Sequence, residues 1–490
     1  MTMGSMVKRL QDIMRNDAGV NGDAQRIEQM TWLLFLKIYD DKEQLWELHR
    51  DNYTSIIPEN LRWRNWAVDN KDGKALTGDK LLKFINEELF QHLKAVEVDE
   101  TTPMHELIIK YAFEDAYNYM KDGILLRQVI NVIDEVDFTE HSERHAFNDI
   151  YETILKDLQS QRSSGEFYTP RPVTDFMVEV IKPTLDDKIA DFACGTGGFL
   201  TSTLKYLDLQ VKTVEDKEKY NTSVYGIEKK ALPHLLCVTN MLLHDIDEPN
   251  IFHNNSLEKS VKEYKERNDG DCFDVILMNP PYGGNEKEGI KSNFPAELRS
   301  SETADLFVSL ILYRLKRNGR VGIVLPDGFL FGTDNAKVAI KTKLMEECNL
   351  HTVIRLPHSV FAPYTSITTN ILFFDKTGST KETWFYRMDM PEGYKNFSKT
   401  KPIKNEHFAP VMDWIANKTE IVEDGFDKAK KHTMAEIRER NYNIDLCGFP
   451  HEEEEILEPS ELIEQYHNKK AELNQKIDAI LGELMSMLEE

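Results

Sequence analysis

The stretch Asp191-Phe192-Ala193-Cys194-Gly195-Thr196-Gly197-Gly198-Phe199-Leu200 is entered from a β-rich run and leaves into a helical one. Glycines at 195, 197 and 198 let the backbone turn sharply and approach a ligand without Cβ interference. Taken alone, such a turn serves a cofactor in some α/β proteins and merely joins strand to helix in others. Its surroundings decide the fold. From about residue 160, short β-rich runs (188–193, 223–227, 273–278, 320–325, 352–356 and 368–374) alternate with helical ones, and several end in Gly, Pro or Asn. This pattern predicts an α/β fold with a doubly wound, Rossmann-like sheet whose working loops leave the strand C-termini.

Moving outward, Val224-Tyr225-Gly226-Ile227-Glu228 reads as a short strand ending in an acid. In dinucleotide-type folds an acid at that position accepts hydrogen bonds from ribose hydroxyls, although an exposed surface Glu would look the same. The segment His253-Asn254-Asn255-Ser256-Leu257 offers an amide to a cofactor adenine.

The chemistry is carried by Phe273-Asp274-Val275-Ile276-Leu277-Met278-Asn279-Pro280-Pro281-Tyr282-Gly283-Gly284. A buried strand delivers Asn279, Pro280, Pro281 and Tyr282, which together suit methylation of a planar amine. Such a nitrogen is conjugated with its ring and is a poor nucleophile. The Asn279 side-chain oxygen and the Pro280 carbonyl can each accept one of its hydrogens and draw it toward a tetrahedral, lone-pair-bearing geometry. Two prolines stiffen the loop, and Tyr282 supplies a π face on which an extruded base stacks.

Asn-Pro-Pro-Tyr behind a glycine-rich turn resembles the amino-methyltransferases that use S-adenosylmethionine. Ahead of the turn, Gly165-Glu166-Phe167-Tyr168-Thr169-Pro170-Arg171-Pro172-Val173 is similar to the leading cofactor motif of adenine-N6 DNA methyltransferases of the gamma arrangement. Gly319 to Pro326 and Phe361 to Asn370 resemble later motifs of one subfamily, the modification subunits of type I restriction-modification systems. The likeness extends over nearly the whole chain. It implies that Glu166, Phe167, Tyr168, Thr169, Pro170, Arg171, Asp191, Gly195, Thr196, Gly197, Gly198, Glu228 and Asn255 line S-adenosylmethionine, while Asn279 to Tyr282 hold a flipped adenine. It further implies that a separate specificity subunit reads double-stranded DNA, that two modification subunits clasp it, and that a restriction subunit can join.

Composition agrees with delegated reading. The formal charge is −24, so overall charge gives no affinity for nucleic acid. No basic, aromatic-interleaved module follows residue 375. No apolar run approaches the roughly 20 residues of a membrane-spanning helix, and the cytoplasm is the expected location. The five cysteines are widely spaced without a C-x-x-C, so neither zinc nor a disulfide framework is expected. His141 and His145 stand one helical turn apart without a third ligand, and no metal site is expected. Cys194 is expected to be a packed residue, since methyl transfer to an amine needs no covalent intermediate.

Three regions are expected: a helical N-terminal domain (1–158), a methyltransferase catalytic domain (159–450) and an acidic C-terminal helix for subunit assembly (451–490). In the first, Ile27, Met30, Leu34, Ile38, Leu45 and Leu48 recur at helical spacing; Met1 to Met6 read as an added remnant outside the fold. In the last, Ile463, Tyr466, Leu473, Ile477, Ile480, Leu484 and Met487 form a stripe broken at Lys470, within a segment carrying 12 acids against 3 lysines. Residues 283–304 show no clear period and predict a mobile loop that closes on the base. Three other functions remain compatible with the sequence: a release-factor-type glutamine-N5 methyltransferase, a self-sufficient adenine methyltransferase, and a silent assembly scaffold.

Overall fold

The computed structural model describes residues 3–69, 74–99, 102–140, 151, 168–264, 271–362, 365, 367–398, 400–423 and 425–448, together with 463, 466–468, 470–471, 473–475 and 477. Among them ten strands form one sheet: β1 (Ile189–Asp191), β2 (Val224–Glu228), β3 (Asn250–His253), β4 (Phe273–Met278), β5 (Leu315–Pro326), β6 (Asn349–Arg355), β7 (Thr369–Asp375), β8 (Glu382–Arg387), β9 (Ile421–Glu423) and β10 (Phe426–Thr433). Their order is β3-β2-β1-β4-β5-β7-β6-β8-β10-β9. The first five in that order are parallel, and β7 enters antiparallel between β5 and β6. The chain steps outward from β1 through β2 to β3, then returns to lay β4 on the other side of β1. A crevice therefore opens between the C-termini of β1 and β4, where ligands bind in sheets of this kind.

Local sequence explains the parts that frame this crevice. Strand β4 is central, and Val275 to Met278 are fully buried, as expected where both faces of a parallel sheet are covered. Helix Arg171–Ile181 starts behind Pro170 with Pro172 in its first turn, where a missing N–H breaks no helical bond. It packs on helix Gly198–Asp208, with Thr174 Oγ1 and Ser202 Oγ 2.7 Å apart.

The first 140 residues are helical where described, apart from connecting loops. Helix Asp23–His49 is buried almost all round, and its charges are paired. Lys37 Nζ lies 2.8 Å from Asp41 Oδ1, and Lys42 Nζ lies 2.6 Å from Asp245 Oδ1, across to the sheet half of the molecule. Two details differ from the sequence reading. Helix Met3–Arg15 includes residues 3–6 of the supposed remnant and buries Met6, so that part belongs to the fold. Leu48 is 76% exposed, and Trp46 is the buried residue of that turn.

Four strands escaped the periodicity. In β3 only Ile251 is buried, and β8 to β10 fall in a stretch of mixed composition. Strand β10 is largely charged: Lys428 pairs with Asp389 and Glu423, and Lys431 with Glu382. The segment expected to be a mobile loop carries helix Glu288–Lys291 and a 3-10 turn at Ala296–Leu298. Phe294 and Leu298 are buried, and Asn293 Nδ2 donates to the carbonyls of Leu257 (2.9 Å) and Glu258 (2.7 Å). That anchoring removes the sequence argument for a loop free along its whole length.

The chain divides into two compact units, Met1–Gly448 and Phe449–Glu490. In the second, Ile463, Tyr466, Leu473 and Ile477 are exposed; Ile480, Leu484 and Met487 lie outside the described residues.

Candidate active site

Strand β4 ends at Met278 and hands the chain to Asn279, half-buried at the crevice. The Asn279 amide is held at both ends. Its Nδ2 donates to Thr169 Oγ1 at 2.9 Å, and its Oδ1 accepts a short hydrogen bond from the Tyr282 hydroxyl. Tyr282 is buried, and burial pushes its phenol well above the ordinary range, so it stays a donor. In this structure the Tyr282 side chain is buried, with its hydroxyl turned to Asn279. Pro280 is buried and Pro281 exposed.

Two adjoining cavities meet at Asn279. The larger, of about 850 Å³ and partly open to solvent, is lined by Tyr168, Glu228, Asn255, Asn279, Pro280 and Pro281 among others. The smaller, of about 420 Å³, is lined by Thr169, Arg171, Asp191, Thr196 and Gly198. Tyr168, Ala193, Gly195 and Asn279 border both. The crevice therefore brings together Tyr168, Thr169, Arg171, Asp191, Gly195, Thr196, Gly198, Glu228, Asn255 and Asn279 to Pro281. Glu166, Phe167, His141 and His145 lie outside the described residues.

The turn is pinned by the acid at the end of β2. Glu228 Oε2 accepts from the Gly195 N–H (2.9 Å) and Oε1 from the Lys230 N–H (2.8 Å). Gly195 and Gly197 have φ of 54° and 85°, the left-handed region that favours glycine. They serve different ends. A Cβ on Gly195 would meet nothing within 4 Å and would project into the cavities, whereas one on Gly197 would lie 2.9 Å from Cys237 Sγ. Gly197 thus answers to helix packing, which corrects the reading that all three glycines make room for a ligand.

Asp191 is buried, and burial lifts its carboxyl to about 8; the Ala193 N–H opposes this rise and the nearby Glu228 charge adds to it. A cation entering the smaller cavity would meet this carboxyl. Asn255 Oδ1 accepts from the Leu257 N–H (3.1 Å), so its amide shapes its own loop. Cys194 is buried 3.8 Å from Cys237, and its thiol is raised well above normal, as a packed, unreactive residue should be.

The sequence reading missed Phe192, Asn254, Ser256, Glu286, Thr303 and Phe307 on the cavity wall. Asn254 and Ser256 flank a residue that was singled out, and Ser256 Oγ ties back to the Phe192 carbonyl at 2.5 Å. Phe307 carries no such signal, because it reads as an ordinary core residue of helix Thr303–Arg314.

An acid for ribose at one end, a buried carboxyl for a cation at the other and a glycine between them fit a cofactor built from a nucleoside and an amino acid. Fold and site together define a methyltransferase dependent on S-adenosylmethionine. Residues 142–456 match the N-6 DNA Methylase family, and residues 3–133 match the HsdM N-terminal domain. The chain is 50% identical to the Escherichia coli type I restriction enzyme EcoEI methylase subunit, over 97% of this chain and 96% of that one. Among solved structures, a type I modification subunit from Vibrio vulnificus YJ016 is 40% identical with a TM-score of 0.77, covering 89% of this chain and 93% of that one. A chain solved in work on assembly and conformational transition of the type I R-M system is 33% identical with a TM-score of 0.80, covering 99% and 98%. The chain belongs to the methylase subunits of type I restriction enzymes, adenine-specific N6 DNA methyltransferases (EC 2.1.1.72), and its cofactor is S-adenosylmethionine. These findings favour neither the release-factor-type enzyme, nor the self-sufficient methyltransferase, nor the silent scaffold.

Proposed function

We propose that the adenine is methylated where the two cavities meet, with Asn279 Oδ1 and the Pro280 carbonyl accepting the hydrogens of its N6 amine. The observation that carries this reading is the Asn279 amide, gripped from both sides at that junction. The amine of a stacked base is out of reach, so the adenine leaves the duplex. Tyr282 then gives up Asn279 and stacks on the base. The two acceptors localise the lone pair on N6, and the prolines hold them in place.

Tyr168 to Arg171, Asp191, Gly195, Thr196, Gly198, Glu228 and Asn255, with Glu166 and Phe167, line the cofactor. Bound there, S-adenosylmethionine supplies a methyl group on a positively charged sulfur. Glu228 holds the ribose hydroxyls, and Asp191 faces the charged amino-acid end.

The same reading assigns partners. A specificity subunit reads double-stranded DNA, a second copy of this chain completes the clasp, and a restriction subunit can be added. Residues 1–158, 159–450 and 451–490 act as helical domain, catalytic domain and assembly helix. The proposed location is the cytoplasm; among the described residues no helix is long and apolar enough to cross a membrane.

The test is co-purification with the specificity subunit, followed by incubation with DNA and labelled cofactor. Label is expected on adenine N6 after digestion. Label on a protein glutamine, or none on DNA, would overturn the proposal.

A further inference from the structure

We propose that Thr169 is a positioning residue for methyl transfer: its hydroxyl anchors the Asn279 amide where Oδ1 can meet the target amine. This rests on the reading of Asn279 as an acceptor.

A side-chain amide has nearly the same shape when its oxygen and nitrogen exchange places, but only the oxygen accepts. With Nδ2 toward the substrate, N–H would face N–H and the lone pair would not be drawn out. The oxygen must therefore face the base, and the amide must be held there. The Asn279 Nδ2 donates to Thr169 Oγ1 at 2.9 Å, which leaves Oδ1 on the Tyr282 side. For a base to use Oδ1, the Tyr282 hydroxyl must withdraw. Thr169 then remains as the partner that tethers the amide at the crevice.

Its own placement suits that task. Thr169 precedes Pro170, and a residue before proline is confined to extended backbone. Pro170, at φ −56°, opens helix Arg171–Ile181, which packs on helix Gly198–Asp208 behind the glycine turn. The hydroxyl is thus presented from a stiff segment, although 110 positions separate it from Asn279. Threonine at this position would be expected to contact cofactor alone; the structure turns its hydroxyl to the catalytic amide.

The test compares Thr169→Val, which keeps the shape and loses the hydroxyl, with Thr169→Ser, which keeps the hydroxyl and loses the methyl. Both are assayed in the assembled methylase with cognate DNA, beside Asn279→Ala. Thr169→Val should lower kcat at saturating cofactor about tenfold or more, a clearly larger change than in cofactor Kd by calorimetry or in KM for DNA. Thr169→Ser should recover most of kcat, and Thr169→Val should add nothing in the Asn279→Ala background. Full kcat in Thr169→Val, failure of Ser to rescue, or a Kd rising in step with the loss would overturn the proposal. If Thr169→Val is active while Asn279→Ala is dead, only the positioning role falls. If Asn279→Ala is itself active, the acceptor reading falls first.

Discussion

The Tyr282 hydroxyl donates to Asn279 Oδ1, so the acceptor assigned to the adenine amine is met by a protein donor when no base is present. The phenol stands where an amine hydrogen would, and the ring must move before the base can use both. Tyr282→Phe keeps the ring and frees the acceptor, so methylation should stay within about threefold of the parent, and capture of the base should not weaken. Tyr282→Ala should weaken capture by roughly 1–3 kcal/mol, the scale of base–aromatic stacking. Fluorescence of 2-aminopurine at the target position reads capture directly. Equal damage from both substitutions would show that the hydroxyl matters and the ring does not.

The two left-handed glycines should fail in different ways. Gly195→Ala puts a methyl into the cavities and should raise cofactor Kd, with only the modest loss of melting temperature that a left-handed φ of 54° imposes on a residue with a Cβ. Gly197→Val drives a branched side chain toward Cys237 Sγ, 2.9 Å from the first added carbon, and should lower melting temperature before cofactor affinity can be assigned. Calorimetry and thermal melts on the two variants separate these outcomes; a swap of the two phenotypes would contradict the assignment.

Asp191, if it faces the cationic end of the cofactor as proposed, should make binding pH-dependent. Burial holds its carboxyl near 8, so the free protein carries a proton there at neutral pH. A cationic ligand favours the carboxylate and lowers that value in the complex, so binding expels a proton. Affinity should climb as pH rises toward 8 and level off above it. In the ligand-free protein the sign for folding is opposite: the folded state holds the proton more tightly than the unfolded one, so this group's contribution to stability falls as pH rises from the ordinary carboxylate range through about 8. Asp191→Asn should flatten the affinity profile. Titrations in buffers of different ionisation enthalpy should show proton release in the parent alone; no release would place the cation elsewhere.

The C-terminal helix should be dispensable for folding. The first compact unit ends at Gly448, whose carbonyl accepts from Arg355 Nη1 at 2.8 Å. Deleting 458–490 should leave melting temperature and cofactor Kd unchanged while weakening assembly and DNA methylation. Unfolding of the truncated chain, or loss of cofactor, would show that the tail supports the first unit.

How much of this was legible in the sequence depended on how local the physics was. The delivery of Asn279 to the crevice could be read because the strand before it is a continuous buried apolar run that ends in Asn-Pro-Pro. The glycine turn and Glu228 could be read because strand C-termini gather at one edge of the sheet. The Thr169 contact could not, since its partners are 110 positions apart and meet only after the sheet forms. Nor could the burial of Tyr282 or the close approach of Gly197 to Cys237, which depend on contacts made only when distant segments pack together. Strand β10 stayed hidden because pairing of its lysines across neighbouring strands, rather than an apolar face, fits it to the sheet.

The most direct test of the central claim is Asn279→Ala in the complete methylase, with methyl transfer and cofactor binding measured on the same preparation. Losing a preorganised acceptor should cut transfer by about 10²-fold or more and leave cofactor Kd nearly unchanged. Near-full transfer by Asn279→Ala would contradict the account.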